Sequence, residues 1–542
     1  MYILGINAAF HDTSACLLKD GKIVAAIEEE RLSRKKHCQD FPMRSIKYCL
    51  NKAGISLEEV NYVVQDLYET ENDFPDQWMK LPKEKRIKVR HHLGHAAAAY
   101  YCSGFTDAAI LTTDGGGSKG IYSEMFHSSL VRERQVFWVA RGKDIIELST
   151  FGSPEYGKEK PMPMSIGHIY EEVCDILGYG PLEGPGKVMG LSSYGTGRLS
   201  RDFLENYVQY PNGHIFYKRE RLEYEEYRRK CNEKVKENHA ELSYLIQKET
   251  EECMIRMAEY LYKVTGSKNL CLGGGVALNC VANRRILNET PFENIYIFPA
   301  SADAGIAVGN AYYVYYNLAD GEFIPQKLES PYLGRAYTDL EIEAAICEHN
   351  SYLEVKKSNK KELLFEIANA IADGRIVGWF QGGSEIGPRS LGHRSILANP
   401  CIPEMKDILN ERVKHREVFR PFAPSVLKER ASEFFNIATE SPYMLLVADV
   451  LDGKKELLPS VTHVDGTARL QTVTKGQNDI FYELIKTFGN LTGVPVLLNT
   501  SFNVAGEPIV EKPIDAVRCF VKTDIDILVI ENYIIKKRMF DD

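Results

Sequence analysis

Twice in this chain a short apolar run empties into consecutive glycines: Ala108 to Thr113 leads into Asp114-Gly115-Gly116-Gly117, and Asn269 to Leu272 into Gly273-Gly274-Gly275. A run of this kind reads as a buried strand followed by a turn that needs backbone freedom. Helical segments such as Pro42 to Ala53 and Leu242 to Val264 alternate with these and with a further apolar run at Asn61 to Val64. Strands alternating with helices call for α/β layers. Neither glycine run fits GxGxxG or GxxxxGK[ST], so both the Rossmann and the P-loop sites are excluded.

Asp114 gives the first turn a chemical meaning. A carboxylate at a strand end can hold a metal ion while backbone N–H groups donate to phosphate oxygens, although a plain tight turn uses the same residues. In the second turn the glycines let a flat ring lie against backbone, with Asn279 close behind. Two more pieces have metal-ligand chemistry. His91 and His95 stand at i and i+4, so on a helix they share a face and can grip one ion, as ordinary spaced surface histidines also could. Asp303 precedes a small-residue helix from Ile306 to Tyr313. Two imidazoles and two carboxylates suit iron, zinc, manganese or another first-row divalent ion.

At 542 residues the chain needs two or more large units. Pro325 and Pro331 flank a polar stretch where the chain restarts, which places the boundary between 1–330 and 331–542. The second half carries its own strands at Ile376 to Phe380, Val494 to Leu498 and Ile525 to Ile530. Residues 214 to 239, crowded with Lys, Arg, Glu and Tyr, read as a solvated helical insertion. The net charge of -9 disfavours nucleic acid as a partner. Twelve cysteines without CxxC pairs point to a reducing compartment. The first residues lack a basic leader and no eighteen apolar residues follow one another, so a cytoplasmic protein without a membrane partner is expected.

The order of these pieces resembles the actin-like, ATP-binding ASKHA fold. A narrower resemblance follows from GINAAFHDTSA, the HxxxH pair, TTDGGG, GKVMGLSSYG, CLGGGVALN and SADAG. With GPRSLGHRSILANP, VKHREVFRPFAPSV, VDGTARLQTV and GVPVLLNTSFNVAGEPIV, they are similar to the O-carbamoyltransferases of nodulation-factor and antibiotic pathways. The resemblance covers nearly the whole chain and implies an ASKHA-type first domain and a smaller YrdC-like α/β second domain.

It further implies that His91, His95, Asp114 and Asp303 bind iron(II), with Gly115, Gly116, Gly117, Gly274, Gly275 and Asn279 at the nucleotide. His11 matches a histidine beside the carbamoyl carbonyl, where a near-neutral pKa would suit proton transfer. Glu241 stands where the family carries an aspartate near the acceptor hydroxyl.

In the second domain Lys414-x-Arg416 and Ser501-x-Asn503 resemble the KxR and SxN signatures of adenylate-forming enzymes, with Asn499 just before. Arg389, Arg394, Arg420 and Arg469 join them in glycine, proline and aromatic contexts. Guanidinium forks with a lysine point charge suit carbamoyl phosphate and ATP, the latter with Mg2+, although an internal ion-pair network would use the same residues. The implied reaction is ATP-dependent carbamoyl transfer to a small-molecule hydroxyl, with a homodimer and a place in antibiotic biosynthesis as further expectations. Synthesis of threonylcarbamoyl-adenosine on tRNA, an ASKHA sugar kinase and a nucleotide-binding regulator remain alternatives.

Overall fold

Asp20 and Gly21 both adopt positive φ, 48° and 76°. That is the conformation a two-residue hairpin turn requires, and it joins strands Ser14–Lys19 and Lys22–Glu28. Tyr2–Asn7 pairs antiparallel with Ser14–Lys19 and parallel with Tyr62–Leu67, whose other neighbour is Arg86–Arg90. The computed structural model to which these strands belong describes residues 1–8, 11–67, 81–123, 128–154, 164–199, 207–217 and 235–538. Its two compact units are Met1–Glu29 with His37–Leu328, and Glu30–Lys36 with Glu329–Asp542.

A second sheet in the first unit runs Asn294–Ile297, Asn269–Gly273, Asp107–Thr113, Ser128–Arg141, with Lys119–Ser123 and Asp144–Pro154 paired to the last of these. The two strands that end in glycine are parallel neighbours, Leu270 opposite Ala109 and Gly273 opposite Thr112. Their glycine turns therefore leave the same edge of the sheet side by side. Helices His91–Tyr101 and Ile306–Asn317 cross at Gly94 and Gly309, so closely that a Cβ on Gly309 would collide with the Gly94 carbonyl. The run of alanines after His95 serves this contact, because small side chains let helix backbones approach.

The second unit is built on one ten-stranded mixed sheet in the order Leu353–Lys357, Tyr533–Lys537, Ile527–Ile530, Val377–Phe380, Arg394–Ala398, Val496–Ser501, Ala423–Leu427, Thr467–Val473, Leu446–Val450, Phe435–Asn436. Helices Lys360–Ala372 and Asp479–Thr492 cover one face, meeting Val377, Trp379, Leu397 and Leu497. Helices Asp339–Cys347 and Pro513–Lys522 cover the other, meeting Phe380, Ile396, Ala398, Val496 and Leu498. Period-two alternation between two covered faces is why the central strands read as unbroken apolar runs. Glu30–Lys36 is tied into this unit by Arg31, which donates to Gly387 O at 2.7 Å, and by Arg34, which donates to Ile509 O and Pro508 O at 2.6 and 2.8 Å.

The chain is thus α/β throughout. The helix expected near residue 242 begins earlier, at Val235, and ends at Thr265. Of the crowded stretch from 214 to 239, Ile215–Tyr217 is a strand and residues 218–234 lie outside the described residues. Among the described residues no helix is long and apolar enough to cross a membrane.

Candidate functional site

His91 opens its helix and His95 follows one turn later, which sets their ring centroids 4.8 Å apart, edge to face. Asp114 follows strand Asp107–Thr113, and Asp303 opens the turn Asp303–Gly305. The four bring one ligand atom each to within 4.8 Å of one another, and all four residues are buried. His95 Nε2 stands 2.9 Å from Asp114 Oδ2 and 3.7 Å from Asp303 Oδ1, while His91 Nε2 stands 3.5 Å from the same Asp303 oxygen. Burial opposes charge on His91, but Asp303 and Asp66 outweigh it and hold the imidazole well above its usual range. Burial likewise favours protonating Asp114, yet His95 and His91 keep its carboxyl far below the ordinary value. Such a set holds protons where a divalent ion would take their place, and its nitrogen and oxygen donors fit a first-row ion.

Both glycine turns end on Asp114. Gly115 N–H donates to its Oδ1 at 2.6 Å and Gly275 N–H to its Oδ2 at 3.2 Å. Gly274 takes φ 88° and donates to Ser301 O at 2.9 Å, joining the turn to the segment before Asp303. A Cβ at Gly115 would strike the carboxyl of Glu171, one at Gly117 the ring of His92, and one at Gly274 the backbone of Thr113. Gly116 lies between the first two.

His11 belongs to this centre. Its Nδ1 is 3.0 Å from Asp12 Oδ2 and 3.9 Å from Asp303 Oδ2. Burial works against its charge, but Asp303, Asp12 and Asp114 push it up to about 10, not the near-neutral value expected. Three neighbours had no distinctive sequence signal. Asp66, inside strand Tyr62–Leu67, accepts from Ala8 N–H at 2.9 Å and puts its other oxygen 3.7 Å from His91 Nδ1. Glu171, on helix Ile166–Ile176, is pushed up to about 8 by burial and by Asp114. His92 is structural: its Nδ1 lies 2.9 Å from Thr112 Oγ1, and burial with His91 and His95 keeps it neutral.

Two of the expected site residues are engaged by the fold. Glu241 accepts from Thr196 N–H and Oγ1–H, Arg198 N–H and Arg198 Nε–H at 2.7 to 3.4 Å. Against the effect of burial, the Thr196 and Arg198 donors hold it down to about 2. A carboxylate so occupied is a poor base. Asn279 caps helix Cys280–Glu289 by accepting from Ala282 N–H at 3.1 Å and exchanges hydrogen bonds with Gln247 at 2.9 and 3.1 Å. Its amide is committed to the fold.

In the second unit Lys414 is buried and donates to Ser501 O, Asn503 O, Asn503 Oδ1 and, at 3.2 Å, Ser501 Oγ. The KxR and SxN segments are therefore one structure. His415, between Lys414 and Arg416, takes the left-handed φ of 44° and throws its two neighbours to different positions. Arg416 lies over Phe422 and is held down to about 9 by burial and by the like charges of Arg420, Arg469 and Arg389. Crowding of like charge on Arg416 marks a place that an anion would relieve. Arg394 and Asn499 do something else. Arg394 is fully buried over Phe380 and donates to the carbonyls of Gln381, His393 and Gly382. Asn499 donates to Ser390 O, Ser425 Oγ and Gln471 Oε1 inside the sheet.

Residues 2–84 and 75–312 match a family model described as carbamoyltransferase N-terminus, and residues 368–537 one described as carbamoyltransferase C-terminus. The chain is 38% identical over 572 residues to nodulation protein NolNO of Sinorhizobium fredii, covering 98% of this chain and 80% of that protein. It is 36% identical over 618 residues to an uncharacterized protein of Synechocystis, covering 99% and 97%. Among solved structures, component A of (R)-2-hydroxyglutaryl-CoA dehydratase from Acidaminococcus fermentans is similar at 16% identity with a TM-score of 0.36, over 59% of this chain and 99% of that one.

Proposed function

The chain belongs to the carbamoyltransferase family, and from that premise we propose that it is an ATP-dependent O-carbamoyltransferase with two separate half-reactions. In the second unit, carbamoyl phosphate is hydrolysed to carbamate and phosphate. An oxygen of the carbamate then attacks the α-phosphorus of ATP, releasing pyrophosphate and leaving carbamoyl-adenylate. Arg416, Arg420, Arg469, Arg389 and Lys414 balance the phosphate charge, with Ser501 and Asn503 holding Lys414 in register. Mg2+ accompanies ATP.

The transfer half-reaction belongs to the first unit. The glycine turns at Gly115 to Gly117 and Gly274 to Gly275 receive the nucleotide, and His11, which would lose its extra proton once an ion offsets Asp303 and Asp114, takes the proton of a small-molecule hydroxyl as its oxygen attacks the carbamoyl carbon and AMP departs. A divalent ion on His91, His95, Asp114 and Asp303, iron(II) in this reading, supplies Lewis-acid polarisation and neutralises phosphate charge. The net charge of -9 supports a small acceptor over tRNA.

The observation that carries the reading is the meeting of both glycine turns on Asp114, which couples a nucleotide cradle to a metal ligand. Incubation with ATP and carbamoyl phosphate tests it: pyrophosphate release that requires carbamoyl phosphate is expected, whereas nucleotide binding without turnover sinks the proposal.

A further inference from the structure

In the first unit Asp12 bridges two imidazoles. Its Oδ2 lies 3.0 Å from His11 Nδ1 and its Oδ1 2.9 Å from His37 Nδ1. These side chains are only 20 to 23% exposed, so the bridge is sheltered from solvent. Two of its three members sit in unfavourable backbone, with φ 52° at Asp12 and 51° at His37. Left-handed conformations cost stability for residues other than glycine and persist where the surroundings enforce them, typically near functional sites. The enforcement is visible. Asn7 Nδ2–H donates to Asp12 O at 3.1 Å, Thr13 N–H to Cys38 O at 3.2 Å, and Thr13 Oγ1–H to Asp40 O at 2.8 Å. These bonds dock the turn at residues 12 and 13 onto the loop at residues 37 to 40.

An imidazole beside a carboxylate keeps its N–H on the nitrogen that faces it, which places the basic lone pair on the other nitrogen. For His11 the nitrogen facing carboxylate is Nδ1, on the side of Asp12 and Asp303. His37 completes the device: a carboxylate gripped through both oxygens cannot rotate, so the plane of Asp12 and the ring of His11 are set together.

We propose that Asp12, clamped by His37, is a positioning residue that sets the ring orientation of His11 and, once an ion offsets the charge of Asp303 and Asp114, its Nδ1–H tautomer, so that Nε2 takes the hydroxyl proton in the transfer step. The catalytic part of this statement rests on the proposed function; the structural part does not.

The test uses the full chain, loaded with diamagnetic zinc and labelled with 15N-histidine, with His11 resonances assigned by His11→Gln. The wild type is expected to show His11 as the Nδ1–H form, and Asp12→Asn to move both His11 ring nitrogens and those of His37. Asp12→Glu, which keeps the charge, retains part of the wild-type pattern and serves if the asparagine variant does not fold. Unchanged His11 signals in the folded Asp12→Asn chain overturn the proposal. The second readout is the ratio of AMP to pyrophosphate formed from ATP and carbamoyl phosphate, with glycerol as hydroxyl probe. Asp12→Asn is expected to lower that ratio about 100-fold and Asp12→Glu to recover part of it; an equal loss of both products counts against positioning. A wild type that forms no AMP removes the functional reading, while the ring spectra still decide the role of Asp12.

Discussion

Asp66 Oδ2 stands 3.7 Å from Nδ1 of His91, on the side of the ring away from Asp303. A carboxylate behind a ligating imidazole fixes which nitrogen faces the ion and raises its basicity. Removing that support is expected to weaken metal binding without removing a ligand. Asp66→Asn should lower the affinity for zinc or manganese about 10- to 100-fold in equilibrium dialysis, with the far-ultraviolet spectrum unchanged. Unaltered affinity would mean that Asp66 plays no part in the centre.

Titration of the metal-free chain has a definite sign. Glu171 stands at about 8 against 4.5 and His11 at about 10 against 6.5, so the folded chain holds both protons more tightly than the unfolded one. Each contribution is complete below the unfolded value and is lost as pH rises through the folded value. The buried, neutral His92, His168, His214 and His393 act the opposite way below about pH 6.5, so the thermal midpoint of the metal-free chain should fall only above them, from about pH 7.5 to about pH 9. Glu171→Gln should flatten the lower part of the slope, and added zinc should raise the midpoint most at the alkaline end, where protons compete least. A midpoint that rises with pH over that alkaline range in the metal-free wild type would contradict the electrostatics.

The arginine cluster makes a separate prediction. Because Arg416 is depressed by its own neighbours, pyrophosphate should bind the unliganded protein and raise its thermal midpoint. Arg416→Ala should weaken that binding about 100-fold by calorimetry, equivalent to about 2.7 kcal/mol. Arg394→Ala should instead lower stability by about 2 kcal/mol or more, because it strands buried carbonyls. If the two variants behave alike, the division of labour between these arginines is wrong.

Glu241→Gln separates a base from a turn-holding carboxylate. Loss of a general base costs about 10²- to 10⁴-fold in the step it serves. Since the Glu241 oxygens are engaged by Thr196 and Arg198, the expected change in AMP formation is within about threefold, with a loss of about 1 kcal/mol in stability.

Local pattern carried the four-residue cluster well: the i, i+4 spacing of His91 and His95 and the carboxylates beside glycine or small residues at Asp114 and Asp303 are short-range signals, and the fold brings them together. The α/β layering was equally open, because glycine-ended strands and a two-residue hairpin are written in adjacent residues. Asp66 was not, since a carboxylate inside a strand has no pattern that separates it from a surface residue until the strand is paired. Pattern was equally blind to what Asn279, Asn499 and Arg394 do within the fold, where their hydrogen bonds close a helix cap and sheet interiors. The Asp12–His37 bridge joins residues 25 apart through two unusual backbone conformations that no periodicity announces.

At the crossing of Gly94 and Gly309, one helix begins with the two histidines and the other starts just after Asp303. An added methyl group there would wedge the helices apart and open the gap that an ion has to span. The tolerance of the candidate centre is thus governed by two hydrogen atoms that touch none of its four side chains, and alanine at Gly309 should spoil ion capture before it unfolds the chain.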